Sequence, residues 1–252
     1  MIRGIYTAAA GMLAESLRND VTANNLANVS TAGFKKDFAL LKDYASRPVK
    51  RVNDGAEQPE IGSMGAGSWL DATATSHTAG IIHPTGNALD FALEGKAYFA
   101  VETPAGTRYT RNGTFTRSAT GELVTQEGFR VLGQNGPINL DPTGQAGKIT
   151  VAEDARIFLD SVENNSFQLV EFEDENRLQK EGATLFRAPE GMEGQPAANT
   201  KIRQGFIELS NVNVVAEMVS MIAGYRAYET NSKVVQIHDT LLDKAVNQVA
   251  SV

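Results

Sequence analysis

Apolar positions recur every three or four residues at the two ends of the chain and alternate in short runs between them. At the start, Ile2, Ile5, Ala9, Leu13, Leu17 and Val21 fall on one stripe of a helix. That helix is expected to end near Asn28, because Thr31-Ala32-Gly33 follows as a breaker. Gly33 can take the left-handed conformation that caps a helix, and Phe34 can then fold back onto the last turn. At the other end, Val214, Met218, Met221, Tyr225, Tyr228, Ser232, Val235, Asp239, Leu242, Val246 and Val249 alternate at spacings of four and three. This is a heptad seam, flawed at Ser232 and Asp239, and a helix carrying it would be on the order of 50 Å long. The two polar positions either fix the register of the seam or face solvent. Asn211 and Asn213 are N-cap candidates for it, and Glu217 places negative charge in the first turns.

Between the ends the period changes to two. Residues 89–94, 97–103, 107–110, 113–117, 122–126 and 129–133 read as short strands, separated by Ala105-Gly106, Asn112-Gly113, Thr120-Gly121 and Glu127-Gly128. A second set, 148–152, 156–160, 167–173 and 183–187, alternates with turns rich in Asn and Gly. Many short strands at such intervals predict an antiparallel all-β domain. Residues 44–67 are rich in Gly, Pro and charge and read as extended. The expected fold class is α+β: N- and C-terminal helices packed as a coiled coil, with a mainly antiparallel all-β domain inserted between them. The expected division is a helical part from 1–33 plus 211–252, an extended linker at 34–67, and a β-rich part at 68–210. A long helix cannot hide its whole apolar seam against one shorter partner, so the remainder must meet other chains or stay partly unfolded.

Composition narrows the function classes. The chain has 252 residues and a formal net charge of −7, which argues against the basic footprint of a nucleic-acid binder. There is no cysteine, so disulfides, thiolate metal sites and cysteine nucleophiles are excluded. The first residues do not read as a secretory signal, and no run of about eighteen apolar residues reads as a spanning helix. A membrane-surface role for the N-terminal helix is weak, with only Arg3 and Arg18 positive before Lys35.

Candidate chemistry is sparse. His77, His83 and His238 are the only histidines, and two of them six residues apart do not make a zinc site. Gly62-Ser63-Met64-Gly65-Ala66-Gly67 lacks the Lys-Ser/Thr and the helix of a phosphate loop. Glu171, Glu173, Asp174 and Glu175 form an acidic turn in which no acid is singled out for a glycosidase role. No catalytic, metal or cofactor site is expected, and no small-molecule substrate.

Four segments carry a resemblance. Asn24-Asn25-Leu26-Ala27-Asn28-Val29-Ser30-Thr31-Ala32-Gly33-Phe34-Lys35 resembles the N-terminal signature of flagellar rod and hook proteins. Thr85-Gly86-Asn87-Ala88-Leu89-Asp90-Phe91-Ala92-Leu93-Glu94-Gly95 and Tyr109-Thr110-Arg111-Asn112-Gly113-Thr114-Phe115 are similar to two further blocks of that family. Gln204-Gly205-Phe206-Ile207-Glu208-Leu209-Ser210-Asn211-Val212-Asn213 resembles its C-terminal block. That block leads into Met218-Val219 and then Arg226-Ala227-Tyr228-Glu229-Thr230-Asn231. The length favours a rod protein over the longer hook protein. Features similar to the distal and to the proximal rod subunit are both present, and the two stay open.

The resemblance implies a structural axial subunit of the flagellar basal-body rod. It implies export by the flagellar type III apparatus without signal cleavage, and helical stacking in which the terminal helices line a tube and the β domain lies outside. The implied partners are further copies of the chain, neighbouring rod and hook proteins, and the export apparatus. The residues expected at subunit interfaces are Ile5, Leu13, Leu17, Val21, Asn24, Asn25, Asn28, Val214, Met218, Met221, Tyr225, Tyr228, Val235, Leu242 and Val246. The three asparagines either bridge subunits or simply end a helix. The alternative from another class is a rod-associated enzyme that degrades peptidoglycan.

Overall fold

The computed structural model describes residues 2–43, 46–51, 59–65, 67–141, 148–197 and 200–247. The side chains of Ile2 and Arg3, and residues Tyr44, Ala66 and Val249, lie outside the described residues. The chain divides into two compact units. The first comprises 1–27, 37–74 and 213–252, and the second 28–36 and 75–212.

In the first unit, α1 (Ile2–Ala27) and α2 (Val214–Asn247) pack against one another. Asn213 caps α2, its side-chain oxygen accepting a hydrogen bond from the Ala216 N–H at 3.1 Å. Asn211, the other cap candidate, serves the second unit instead. The helices are antiparallel. The space beside Gly4 is filled by His238, that beside Gly11 by Asn231, and that beside Gly224 by Asn19. The line that faces α1 is therefore Gly224, Asn231 and His238, a polar and glycine line at seven-residue spacing. It is displaced from the apolar seam at Met218, Tyr225, Tyr228 and Val246, which is exposed.

Strands β1 (Asp37–Asp43), β2 (Arg47–Lys50), β3 (Glu60–Met64) and β4 (Ser68–Thr75) complete this unit. β1 pairs with β4, and β2 pairs antiparallel with β3. The linker expected at 34–67 thus contains three strands. Its first residues, Phe34 and Lys35, are buried in the second unit. Two-residue alternation does not reveal β1 to β3 because neither face of these pairs is consistently covered.

The second unit is built of short strands, mainly antiparallel. After β5 (Ile82–Pro84) and β6 (Phe91–Glu94) come β7 (Tyr98–Thr103), β8 (Gly106–Thr110), β9 (Thr116–Arg117), β10 (Leu123–Val124), β11 (Arg130–Gly133) and β12 (Gly136–Pro137). They are followed by β13 (Ile149–Val151), β14 (Arg156–Leu159), β15 (Val162–Ser166) and β16 (Leu169–Glu171). Then come β17 (Gln179–Glu181), β18 (Leu185–Arg187), β19 (Gln195–Pro196), β20 (Lys201–Gln204) and β21 (Phe206–Glu208). The largest sheet runs β17-β18-β8-β7-β11-β10-β9, with β12, β16 and β19 attached, and its pairings are antiparallel.

β7 is central because both of its faces are buried. Successive side chains of a strand point to opposite faces, so Phe99 and Val101 enter one core and Tyr98 enters another. In the larger core Phe91, Phe99, Phe115 and Phe167 meet mostly edge to face, with ring centroids 5.1–6.4 Å apart. In the smaller one Tyr98 meets Phe172 and Phe186. Full burial of each such ring contributes roughly 1.5–3 kcal/mol.

Candidate functional site

Within the second unit, the four segments that carry the family resemblance converge on one buried ionic cluster. Gly33 adopts a φ of 67° and lies so close to the Arg111–Asn112 backbone that no side chain fits there. This turn sends Lys35 inward. Its ammonium, 1% exposed, donates to Glu208 Oε1 at 2.6 Å and to the Thr78 carbonyl at 2.8 Å. Glu208, 2% exposed, also accepts from the Gly80 N–H at 2.7 Å. Its other oxygen faces Arg111 Nη1 at 3.7 Å, beyond hydrogen-bond distance. Arg111 donates from Nη2 to the Gly95 carbonyl at 2.8 Å and stacks over the Tyr98 ring at 4.8 Å.

Asn211 closes the arrangement. Its side-chain oxygen accepts from the Lys36 N–H at 2.8 Å, and its amide donates to the Ser76 carbonyl and to Thr78. Lys180 sits over the Phe34 ring at 3.8 Å and donates to the Lys35 carbonyl. The segments that lead out of α1 and into α2 are therefore both tied into one polar network.

Burial sets the electrostatics. It pulls the Lys35 ammonium below the usual lysine value, with Glu208 opposing the shift. It pushes the Tyr98 hydroxyl well above the usual tyrosine value, with the Glu175 charge adding to the shift. Tyr98 also shares a 2.8 Å hydrogen bond with His77 Nδ1. Burial raises the Glu175 carboxyl as well, partly offset by Arg111, Lys96 and Lys35. Within the acidic turn, Glu171 accepts from Thr200, and Asp174 accepts from the Asn176 N–H. His83 is exposed on β5, and no group of three metal-ligating side chains occurs among the described residues. A cleft of about 450 Å³ is lined by Gln134, Gln168, Leu169, Val170, Gly194 and Pro196, which offer amide and apolar groups.

In the first unit the predicted interface residues fall into two groups. Leu13, Met218, Tyr225, Tyr228 and Val246 are exposed, as is Asn24. Ile5, Leu17, Val21, Val214, Met221, Val235 and Leu242 are half-buried. Asn25 is turned inward. Its amide donates to the Asp37 carbonyl at 2.7 Å and its oxygen accepts from the Asp37 N–H at 2.9 Å. Within the unit it pins the start of β1 to α1. Asn28 forms a turn in the second unit, its side-chain oxygen accepting from the Thr31 hydroxyl. Among the described residues, all exposed large apolar side chains except Ile81 and Val162 belong to the first unit.

Three family descriptions match the chain. "Flagella basal body rod protein" covers residues 5–35, "Flagellar hook protein FlgE/F/G D1 domain" covers 92–159, and "Flagellar basal body rod FlgEFG protein C-terminal" covers 203–249. The flagellar basal-body rod protein FlgG of Bacillus subtilis is 33% identical over 98% of this chain and 99% of its own length. That of Borreliella burgdorferi is 34% identical over 98% of both chains. The chain belongs to the flagellar basal-body rod protein family. Membership places it in the flagellar basal body as a structural rod subunit. The rod protein FlgF of Caulobacter vibrioides is 30% identical over the full length of both chains, so relatives of both names align end to end. The ionic cluster draws its three charges from all three matched regions or their edges: Lys35 closes the first, Arg111 lies in the second and Glu208 in the third.

Sequence reasoning did not single out Lys35, Arg111 and Glu208 as a set. The available signal was a lone charge within each of three motifs otherwise made of small, apolar and neutral residues.

Proposed function

We propose that this rod protein is an axial subunit that assembles with copies of itself, head to tail, into a helical tube linking motor to hook and transmitting torque. In this reading it leaves the cell through the flagellar type III export apparatus without signal cleavage, and neighbouring rod and hook proteins flank it. The segments 1–33 and 211–252 carry assembly, and the helices of adjacent copies pack as a coiled coil. Val214, Met218, Met221, Tyr225, Tyr228, Val235, Leu242 and Val246 supply that contact together with Ile5, Leu13, Leu17 and Val21.

The observation that carries this reading is the segregation of exposed apolar side chains to the first unit. A monomer rarely leaves so large an apolar set in water unless another surface covers it. An open tube requires a heterologous contact, one patch against a different patch of the next copy. The buried ionic cluster suits a load-bearing part, because it ties together the chain segments that lead to both helices.

The test is deletion of the gene followed by imaging of isolated basal bodies. Complementation would use the wild-type chain and a Met218→Glu variant. Loss of hooks, rescued by wild type alone, is the expected result. Hooks that form without the gene would remove the structural role.

A further inference from the structure

We infer that the exposed apolar face at the start of α2 docks on the exposed face of α1 from a second copy of this chain, with Arg226 of one copy paired to Asp20 of the other. This rests on the self-assembly reading and adds to it a second contact, on a face of α2 beside the seam. Val215, Val219 and Ile222 are 71%, 62% and 55% exposed. Arg226 continues their stripe at the next helical step and is also exposed. No carboxylate lies within ion-pair distance of Arg226 among the described residues. Glu229, three residues on, is held by Lys233 at 2.7 Å.

α1 presents the complement. Its outward line is Leu13, Ser16, Asp20, Ala23 and Ala27, all exposed. Asp20 is the charged residue of this line, and the neighbouring Glu15 and Arg18 pair with each other at 2.8 Å. A cation on one unpartnered face and an anion on the other are complementary, and such pairs fix register and suppress wrong pairings.

Direction follows from symmetry. α1 and α2 are antiparallel within a copy. In an array whose copies share one axial direction, α1 of one copy is therefore antiparallel to α2 of the next. Setting Asp20 opposite Arg226 in that direction brings Ala27 opposite Val219 and Ala23 beside Ile222. Bulky apolar side chains then face alanines, which permits close approach.

Charge reversal tests the contact, read as the critical concentration for sedimentation of the purified full-length chain. Asp20→Arg and Arg226→Asp should each raise it at least about tenfold, because like charges then face each other. The two substitutions combined in one chain should restore it. All three variants should keep wild-type helical circular dichroism, since both positions are exposed. The cysteine-free chain allows a second readout. Ala27→Cys chains mixed with Val219→Cys chains should crosslink on oxidation, and Ala27→Cys mixed with Leu241→Cys should not. Assembly of the wild type without rescue by the double reversal, or with equal crosslinking of both mixtures, overturns this contact and leaves self-assembly standing. Failure of the wild type to associate at any soluble concentration overturns both.

Discussion

The side-chain oxygen of Asn19 occupies the place that a Cβ at Gly224 would need. The same relation holds between His238 and Gly4 and between Asn231 and Gly11. The α1–α2 pair is thus registered by polar side chains seated over glycines, with Asn19 itself buried.

Gly224→Ala should therefore destabilise the helix pair. On an open helix face the change would stabilise by about 1 kcal/mol through propensity. Here overpacking against a buried amide costs about 1–3 kcal/mol. A lower thermal midpoint by circular dichroism is expected, with recovery in the Asn19→Ala/Gly224→Ala double variant. A raised midpoint for the single variant would contradict the packing.

Lys35 and Arg111 both face Glu208, and that asymmetry ranks the substitutions. Lys35→Met leaves Glu208 with Arg111. Glu208→Gln leaves two buried cations without their shared carboxylate. Breaking a buried ion pair from one side costs about 3–5 kcal/mol. Glu208→Gln should be the worse of the two in urea unfolding, and the reverse order would show that Arg111 does not act on Glu208.

Alkaline pH should act through Tyr98 and Lys35 in opposite directions. The folded Tyr98 hydroxyl is held above its ordinary value, so above about pH 10 the unfolded chain releases that proton first. The folded state then binds more protons, and stability falls as pH rises. The folded Lys35 is held below its ordinary value, so from that lowered value up to about 10.5 the folded state binds fewer protons and stability rises. Denaturant titrations from pH 8 to about 11.5 should show the fall above pH 10. Tyr98→Phe should flatten it by close to one proton, with the residual slope owed partly to Tyr109, which burial also raises. An unchanged slope in Tyr98→Phe would place the titration elsewhere.

Periodicity made the two helices legible, and local chemistry made their ends so. Asn213 caps α2 as its residue type predicts, whereas Gly33 takes the expected left-handed φ beyond the end of α1 at Ala27, where its N–H donates to the Glu208 carbonyl and not to the helix. The strands of the second unit were legible where turn glycines bracket them, as at β7 and β8. β15 was not, because its residues Val162–Ser166 are mostly polar and its turn uses Asp160 and Ser161 at positive φ without a glycine. The α1–α2 contact was illegible to a hydrophobic count, because glycine and asparagine carry no apolar signal. Only the seven-residue step from Gly224 through Asn231 to His238 hints at it. The ionic cluster was hidden because its members lie far apart in sequence, and pairing of lone charges needs the fold.

Asn25 offers the clearest separation of fold from assembly. Its amide closes a two-way hydrogen bond with the Asp37 backbone and lies 3.5 Å from Glu217 Oε2. Asn25→Ala removes both hydrogen bonds to the half-buried Asp37 backbone and should cost about 1–3 kcal/mol of stability. Asn25→Asp should be worse at neutral pH. The new carboxylate cannot donate to the Asp37 carbonyl, and it adds a like charge beside Glu217. That repulsion holds the folded carboxyl above its ordinary value, so the folded state binds the extra proton and the loss shrinks as pH falls. Urea unfolding at pH 7 and pH 4.5 separates the effects: Asn25→Ala should lose the same amount at both, and Asn25→Asp should recover at the lower pH. Equal losses for Asn25→Asp at both pH values would mean that Glu217 does not bear on this position.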